Sequence, residues 1–294
     1  MKNDDISAFV AVVRRQSLIQ AADSLQLTQS AITRRIQNLE ETLGVELLDR
    51  HTKPLKPTPM GLKVFDQCLR ILQEIDALRE LVANDTPPQG TFRLGVPHSL
   101  SEAVLLPPLR SLNQHYPALQ TRVSSGWGTE LLAKLVQAEL DAAMGLFPRN
   151  RVFPDALTAV PLGEIQLCVV ASQDTPPFQH LVDSQQHGWI LNPDGCGFRD
   201  GLMRALADQG VSLQVNLDTY GSELQLGLVA EGKGLGLIPA PVLANSQYCD
   251  TLQVITLKDF SPLAELWLVY PKHLGKLQKP AHLFGAQLAR ELAP

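Results

Sequence analysis

Ser17-Leu-Ile-Gln-Ala-Ala-Asp-Ser-Leu-Gln-Leu-Thr-Gln-Ser-Ala-Ile-Thr-Arg-Arg-Ile-Gln-Asn-Leu-Glu-Glu-Thr-Leu43 reads as two short amphipathic helices joined by a tight turn. Leu18, Ala21, Ala22 and Leu25 recur at the spacing of one helical stripe, behind Ser17 as an N-cap. Ala21 and Ala22 are small, as a close crossing by another helix requires. Thr28 caps a second helix whose apolar positions Ile32, Ile36, Leu39 and Leu43 share one face. Gln29, Ser30, Thr33, Arg34 and Gln37 are left looking outward. These amides, hydroxyls and guanidinium are the groups that pair with purine edges and phosphates when a helix enters the major groove. The competing reading is an ordinary solvated helix face. Upstream, Ile6, Phe9, Val10 and Val13 form a third stripe, with Asn3 or Asp4 as its cap. Three helices of this size make one small core.

The next residues fit a winged version of that motif. Gly44 stops the second helix, and Val45, Leu47 and Leu48 supply a short strand. Asp49 to Pro57 is basic and turn-rich, with Arg50, Thr52 and Lys53 placed to lie over phosphates. Thr58-Pro59 is a strong helix start, a cap residue followed by proline at the first helical position. The helix expected from there to Val82 carries Phe65, Leu69 and Leu72, then Ile71, Ile75, Leu78 and Val82. Its length favours pairing with a second copy over packing on its own domain.

The chain has 294 residues and a net charge of −5, which by itself argues against a nucleic-acid partner. The distribution matters more. Residues 1–63 hold 9 Lys+Arg and 7 Asp+Glu, whereas the remainder carries the acidic excess. Affinity for phosphates would therefore rest on Arg34, Arg35, Arg50, Lys53 and Lys56. Cysteines 68, 168, 196 and 249 are scattered, with no CxxC, so neither a zinc finger nor a disulfide framework is expected. The N-terminus has no basic-then-apolar signal pattern, and no apolar run is long enough to cross a bilayer. A cytoplasmic chain with no membrane partner is the expectation.

A polar, proline-rich hinge, Asn84 to Gly90, follows the long helix. Beyond it strands and helices alternate. Strands are expected at 91–96, 119–124, 142–146, 165–171, 189–192, 214–218 and 235–239. The helices between them fall at 101–114, with Leu105-Leu106-Pro107 at its entry, 129–138, 198–209 and 222–231. Repeated βαβ units imply parallel sheets. Crossings between two subdomains are expected near Leu162 and Pro262.

Residues 4–61 closely resemble the DNA-binding domain of LysR-type transcriptional regulators. The matching positions are Phe9-Val10-Ala11-Val12, Ser17-Leu18, Ala21-Ala22, Leu25, Thr28 to Thr33, Ile36, Leu39-Glu40, Leu43-Gly44, Leu47, Arg50, Thr58 and Gly61. Leu48 stands where the family usually has phenylalanine, and Met60 where it often has alanine. The resemblance implies an α+β multi-domain chain: a winged helix-turn-helix at 1–58, a linker and dimerisation helix at 59–84, a hinge at 85–91 and an effector-binding domain at 92–294. That last domain would be two α/β lobes of the periplasmic-binding-protein type, lobe I at about 92–161 and 266–294, lobe II at about 162–265. The implied partners are double-stranded DNA, a small-molecule effector, a homodimer or homotetramer, and RNA polymerase.

In open α/β sheets a ligand sits beyond the carboxyl ends of the strands. Those loops carry His98, Ser99, Leu100 and Ser101, then Trp127 and Gly128, then Phe147, and in the second lobe Cys196, Gly197, Phe198, Gly221 and Ser222. Hydroxyls and N–H groups at helix starts favour an anion, so the expected effector is a small anionic or polar organic molecule. Ser99, Ser101 and Ser222 would donate to it, and Trp127 and Phe147 would form apolar walls unless they are core aromatics. Arg199 is expected in a surface ion pair with an acid such as Asp200. A thiol at the start of a helix near an arginine can have a lowered pKa, so a redox-responsive regulator using Cys196 is the alternative. Peroxide-sensing members of the family have a reactive cysteine in this region, but no resolving cysteine follows closely here. Gly232-Lys233-Gly234-Leu235-Gly236 is not a dinucleotide fingerprint, because a helix precedes it and a strand follows. No catalytic signature, metal-ligand cluster or cofactor motif is present, and an enzyme is not expected.

Overall fold

The structure is a computed structural model, and it describes residues 2–82, 87–100, 102–147 and 151–293. Ser101 and the first part of the expected hinge, 84–86, lie outside the described residues. The chain forms two compact units, Met1–Asp85 and Thr86–Pro294.

The first unit opens with α1 (Asn3–Arg15), α2 (Leu18–Ser24) and α3 (Gln29–Leu43). Ser17 Oγ accepts from Gln20 N at 3.4 Å, and Thr28 Oγ1 accepts from Ala31 N at 3.2 Å. The α1 cap is not Asn3 or Asp4. Instead Asp5, inside the first turn, accepts from Lys2 N at 2.8 Å and is buried there. Gly44, at φ +69°, ends α3 and donates to Glu40 O at 2.8 Å. Ile6, Phe9, Val10, Val12, Ala21, Ala22, Ile32, Ile36 and Leu39 form the core. Val12 is buried where Val13 was expected, and Val13 is only half-buried. Leu43 keeps the helical phase but is 39% exposed, because the core beneath that face ends at Leu39.

β1 (Leu48–Asp49) and β2 (Lys56–Pro57) pair antiparallel as a minimal wing, followed by α4 (Pro59–Val82). Phe65 packs edge-on against Phe9 at 6.5 Å, which fixes the start of α4 to α1. Farther along, Ile71 and Leu78 are exposed, leaving apolar surface that one copy of the unit does not cover.

The second unit begins with β3 (Gly90–Pro97), α5 (Glu102–His115), β4 (Leu119–Gly126), α6 (Gly128–Val136), β5 (Ala142–Phe147) and β6 (Leu157–Ser172). Then come β7 (Trp189–Leu191), α7 (Gly197–Ala207), β8 (Val215–Asp218), α8 (Ser222–Ala230), β9 (Gly236–Pro239) and α9 (Ala240–Ala244). β10 (Leu252–Ile255), β11 (Leu263–Pro271) and α10 (Gln278–Glu291) complete it. Pro107 and Pro108 lie inside α5 rather than at its entry. Gly232 (φ +72°) and Gly234 (φ +153°) form the turn between α8 and β9.

The sheets are mixed rather than parallel throughout. β3 runs parallel to β4 and β5, and β7 parallel to β8. β11 pairs antiparallel with β5 and with Leu157–Gln166 of β6, while β9 and β10 pair antiparallel with the remainder of β6. The physical reason is that two strands cross between the lobes in opposite directions. β6 is one 16-residue strand that starts eight residues before Ile165, and it belongs to both sheets. The sheets exchange where Leu167 N donates to Pro262 O at 3.0 Å. Lobe I packs Phe92, Leu94, Met144, Leu268 and Phe284 beneath α5 and α10, and lobe II packs Trp189, Leu202, Leu206 and Leu237. The loops after β3 and β4 in lobe I meet the loop after β8 in lobe II.

Candidate functional site

The first site is the N-terminal half of α3 with its wing. Gln29, Ser30, Arg34 and Gln37 are exposed, and Thr33 is half-buried. Thr33 Oγ1 donates to Gln29 O at 3.0 Å, and Ser30 Oγ lies 3.0 Å from the capping Thr28 Oγ1. These two hydroxyls are thus oriented by their own helix, while both amides and the Arg34 guanidinium face solvent. Arg35 belongs to the scaffold rather than the basic surface: it pairs with Asp4 at 3.0 Å.

The wing's anchor is Glu40, a residue that stood out in the sequence only as one position of the family pattern. Its Oε1 accepts from Leu47 N at 2.8 Å and Leu48 N at 3.3 Å, and its Oε2 accepts from Arg50 Nη2 at 2.9 Å. One carboxylate thereby ties α3 to the start of the wing and aims Arg50. Thr52 holds the wing's turn, donating to Asp49 O at 3.0 Å and accepting from Lys56 N at 3.1 Å. Lys53 and Lys56 are exposed at its tip.

The second site is the cleft between the lobes. Ser99 and Ser222 are both buried, and Ser222 Oγ donates to Ser99 O at 3.1 Å. That bond joins the lobes, so the Ser222 hydroxyl proton is used inside the protein rather than offered to a ligand. His98 lies 4.8 Å from the Trp127 ring and 6.2 Å from Tyr220, and Trp127 and Tyr220 are 6.0 Å apart. Trp127 comes from lobe I and Tyr220, which the sequence reading missed, from lobe II. Burial pushes the His98 pKa down; Glu130 opposes this and Lys134 adds to it.

Some of the expected ligand residues line one of two cavities, while Ser99, Trp127 and Cys196 line neither. A cavity of about 690 Å³ is lined by His98, Leu100, Gly221 and Ser222, together with Tyr220 and Glu223. A second, of about 370 Å³, is lined by Gly128, Phe147 and Gly197, together with Gly195, Arg151 and Arg204. Phe147 is a core aromatic as well as a wall. Its ring fills the space beside Gly128, where an added Cβ would come within 2.4 Å of it. Phe198 is buried in the core and reaches only a smaller pocket of about 150 Å³, which Phe147 and Gly197 also line. Arg199 pairs with Asp194 at 3.1 Å and with Asp218, not with Asp200, because the end of β8 lies beside the start of α7.

Cys196 is buried at the N-cap of α7, and desolvation pushes its thiol pKa up despite hydrogen bonds from the Arg199 and Phe198 amides. That is opposite to a reactive thiolate. In native protein Cys196 is expected to react with a thiol reagent at least tenfold more slowly than in urea-unfolded chain. Rapid native labelling mapped to Cys196 would contradict this. Among the described residues no cluster of His, Cys, Asp or Glu could hold a metal ion. No helix of the described residues is long and apolar enough to cross a membrane.

Two family descriptions match the chain: "Bacterial regulatory helix-turn-helix protein, lysR family" over residues 3–62, and "LysR substrate binding domain" over residues 85–293. The chain belongs to the LysR family of bacterial transcriptional regulators. It is 30% identical to the regulator BenM of Acinetobacter baylyi over 240 residues, 79% of this chain and 78% of BenM. It is 27% identical to GltR of Bacillus subtilis over 256 residues, 86% of this chain and 85% of GltR. Full-length BenM superposes with a TM-score of 0.53 at 26% identity, covering 96% of each chain. Full-length OxyR of Pseudomonas aeruginosa superposes with a TM-score of 0.81 at 17% identity, covering 98% of this chain and 94% of that one, a likeness of fold. This LysR-family chain therefore couples a helix-turn-helix DNA-binding domain to an effector-binding α/β domain.

Proposed function

We propose that the chain reads a specific operator through α3 and its wing, and that a small anionic or polar organic effector bound between the α/β lobes modulates that reading. The observation that carries this is the outward face of α3 beside a wing fixed by Glu40. Gln29, Ser30, Thr33, Arg34 and Gln37 meet base edges, while Arg50, Thr52 and Lys53 meet the phosphate backbone. The exposed apolar positions Ile71 and Leu78 on α4 pair two chains into a homodimer. That places two copies of α3 on half-sites about 34 Å, or a multiple of it, apart. Lobe pairing then joins dimers into a homotetramer, and the assembly contacts RNA polymerase. The working division of the chain is a DNA-binding domain at 1–58, a linker helix at 59–84, a hinge at 85–91 and an effector domain at 92–294. Its place is the cytoplasm, where bacterial DNA is, and its work is binding rather than catalysis.

Mobility-shift and DNase footprinting against the DNA upstream of the chain's own gene tests the reading. Gln29→Ala and Thr33→Ala are expected to lose about 1–3 kcal/mol of discrimination each, roughly 5- to 150-fold, while nonspecific binding persists. Lys53→Ala should weaken binding to all sequences and flatten the salt slope by about one. Equal loss on operator and random DNA in the α3 variants would contradict base readout.

A further inference from the structure

The two larger of the cavities described above differ in charge, and that difference selects a ligand. Glu223 lines the larger one, no described lysine or arginine does, and its histidine, His98, is biased toward the neutral form by burial. The smaller one, about 370 Å³, is lined by Arg151 and Arg204, with Asp200 as its acidic member. Arg151 stands over the Phe147 ring at 5.5 Å, a cation–π contact that holds the guanidinium at the cavity wall. Arg204 donates its Nε to Asp200 O at 3.1 Å, which orients the side chain and leaves its two terminal nitrogens out of that bond. The first turns of α6, from lobe I, and α7, from lobe II, also line this space through Gly128, Thr129 and Gly197. The N-cap of α6 carries no side-chain hydrogen bond, so the positive end of that helix dipole adds to the two arginines, whereas the first amides of α7 are turned to the Cys196 thiol. Leu146, Phe147 and Val152 supply an apolar side.

We infer that the effector is a small organic acid whose carboxylate lies between Arg151 and Arg204 in this smaller cavity and whose compact apolar body rests on Phe147 and Val152. This rests on the reading that the lobes enclose an effector, and it names the ligand class and two recognition residues. Arg151 belongs to lobe I and Arg204 to lobe II. A carboxylate held by both binds one arrangement of the lobes better than others, which is the condition for a ligand to shift a conformational balance. Planar guanidinium groups suit this task because they offer paired donors to the two carboxylate oxygens.

The test is calorimetric titration and thermal shift of the full chain with a panel of aliphatic and aromatic carboxylates, phenylacetate among them. Each acid is paired with its isosteric primary amide, and a set of neutral and amine metabolites runs beside them. At least one carboxylate is expected to bind at least tenfold more tightly than its amide. Arg151→Gln and Arg204→Gln should each weaken that carboxylate at least tenfold while leaving the amide's affinity unmoved, and Arg204→Lys should recover part of the loss. Both arginines are exposed, so the unliganded melting temperatures of these variants serve as the control for folding. Three outcomes overturn the inference. No carboxylate of the panel binds; an amine or neutral compound binds and changes the footprint instead; or a carboxylate binds equally to both glutamine variants and is lost in His98→Ala, which would place it in the larger cavity. The last two leave the effector reading standing. Operator binding that no ligand of any class alters would count against the effector reading itself.

Discussion

Glu40→Ala is expected to detach the wing from α3, lower the stability of the DNA-binding domain by about 2–3 kcal/mol and abolish specific operator binding. One carboxylate, with a side chain only 11% exposed, accepts from two backbone amides and a guanidinium. Hydrogen bonds to a charged group contribute about 1.5–3 kcal/mol each, and a buried amide left without an acceptor keeps its desolvation cost. The two amide bonds therefore dominate. Arg50 is 60% exposed, so its ion pair adds less than about 1 kcal/mol. The loss of binding has a separate cause: without Glu40, neither the wing's start nor Arg50 keeps a fixed position relative to α3. Glu40→Gln retains one acceptor and should recover about half of the stability. Urea unfolding of the full chain and a mobility-shift titration measure both effects. A Glu40→Ala midpoint indistinguishable from the parent's would show that the wing is held by something else.

Gly61→Ala should cost about 3 kcal/mol, at the upper end of the range for overpacking. A Cβ at this position would lie 2.0 Å from Leu47 O and 2.9 Å from the Leu47 carbonyl carbon. That obstacle is backbone and cannot rotate away. The carbonyl accepts from Thr58 N at 2.9 Å, and Thr58 Oγ1 in turn accepts from Gly61 N at 2.9 Å and donates to Glu46 O at 2.9 Å. Moving α4 aside would break this lacing at the base of the wing. Gly201→Ala, inside α7, is the contrasting case: an added Cβ meets nothing within 4 Å and φ is not positive. It should stabilise the chain by about 0.5–1 kcal/mol, as alanine for glycine does in a helix. Thermal unfolding of the two variants side by side checks both signs. Gly61→Ala melting like the parent would mean that α4 is not seated against Leu47.

The three-helix head was legible in the sequence because its determinants are local. Ser17 and Thr28 act on amides three residues away, Gly44 ends the helix it follows, and the apolar period of α3 needs no knowledge of the rest of the chain. Departures appear where a local pattern meets a boundary. Leu43 keeps the helical phase but has no core beneath it, and the α1 cap passed to Asp5 because a carboxylate in the first turn can reach back to Lys2 N. The alternation of strands and helices was also readable, but the strand directions were not. βαβ periodicity says nothing about β6 and β11, which run oppositely because both must cross between the lobes.

The cleft was legible only as a set of loops. Strand ends mark where a ligand can sit, and His98 and Trp127 follow the ends of β3 and β4, but His98 and Phe147 line different cavities. Their roles depend on neighbours distant in the chain: Ser222 spends its hydroxyl on a residue 123 positions away, and Cys196 is disarmed by burial. Arg151 follows the end of β5 whereas Arg204 lies well inside α7, and the two reach the same cavity only through the packing of two lobes.

By itself the sequence determined the helices, the caps of α2 and α3, the outward polar face of α3 and the family, because hydrogen-bond capping and hydrophobic period act over a few residues. Only the tertiary structure decided which carboxylate anchors the wing, which hydroxyls remain free, how the cleft divides and where its positive charge collects. Those are matters of burial and of distance between residues far apart in the chain, and no local rule fixes either.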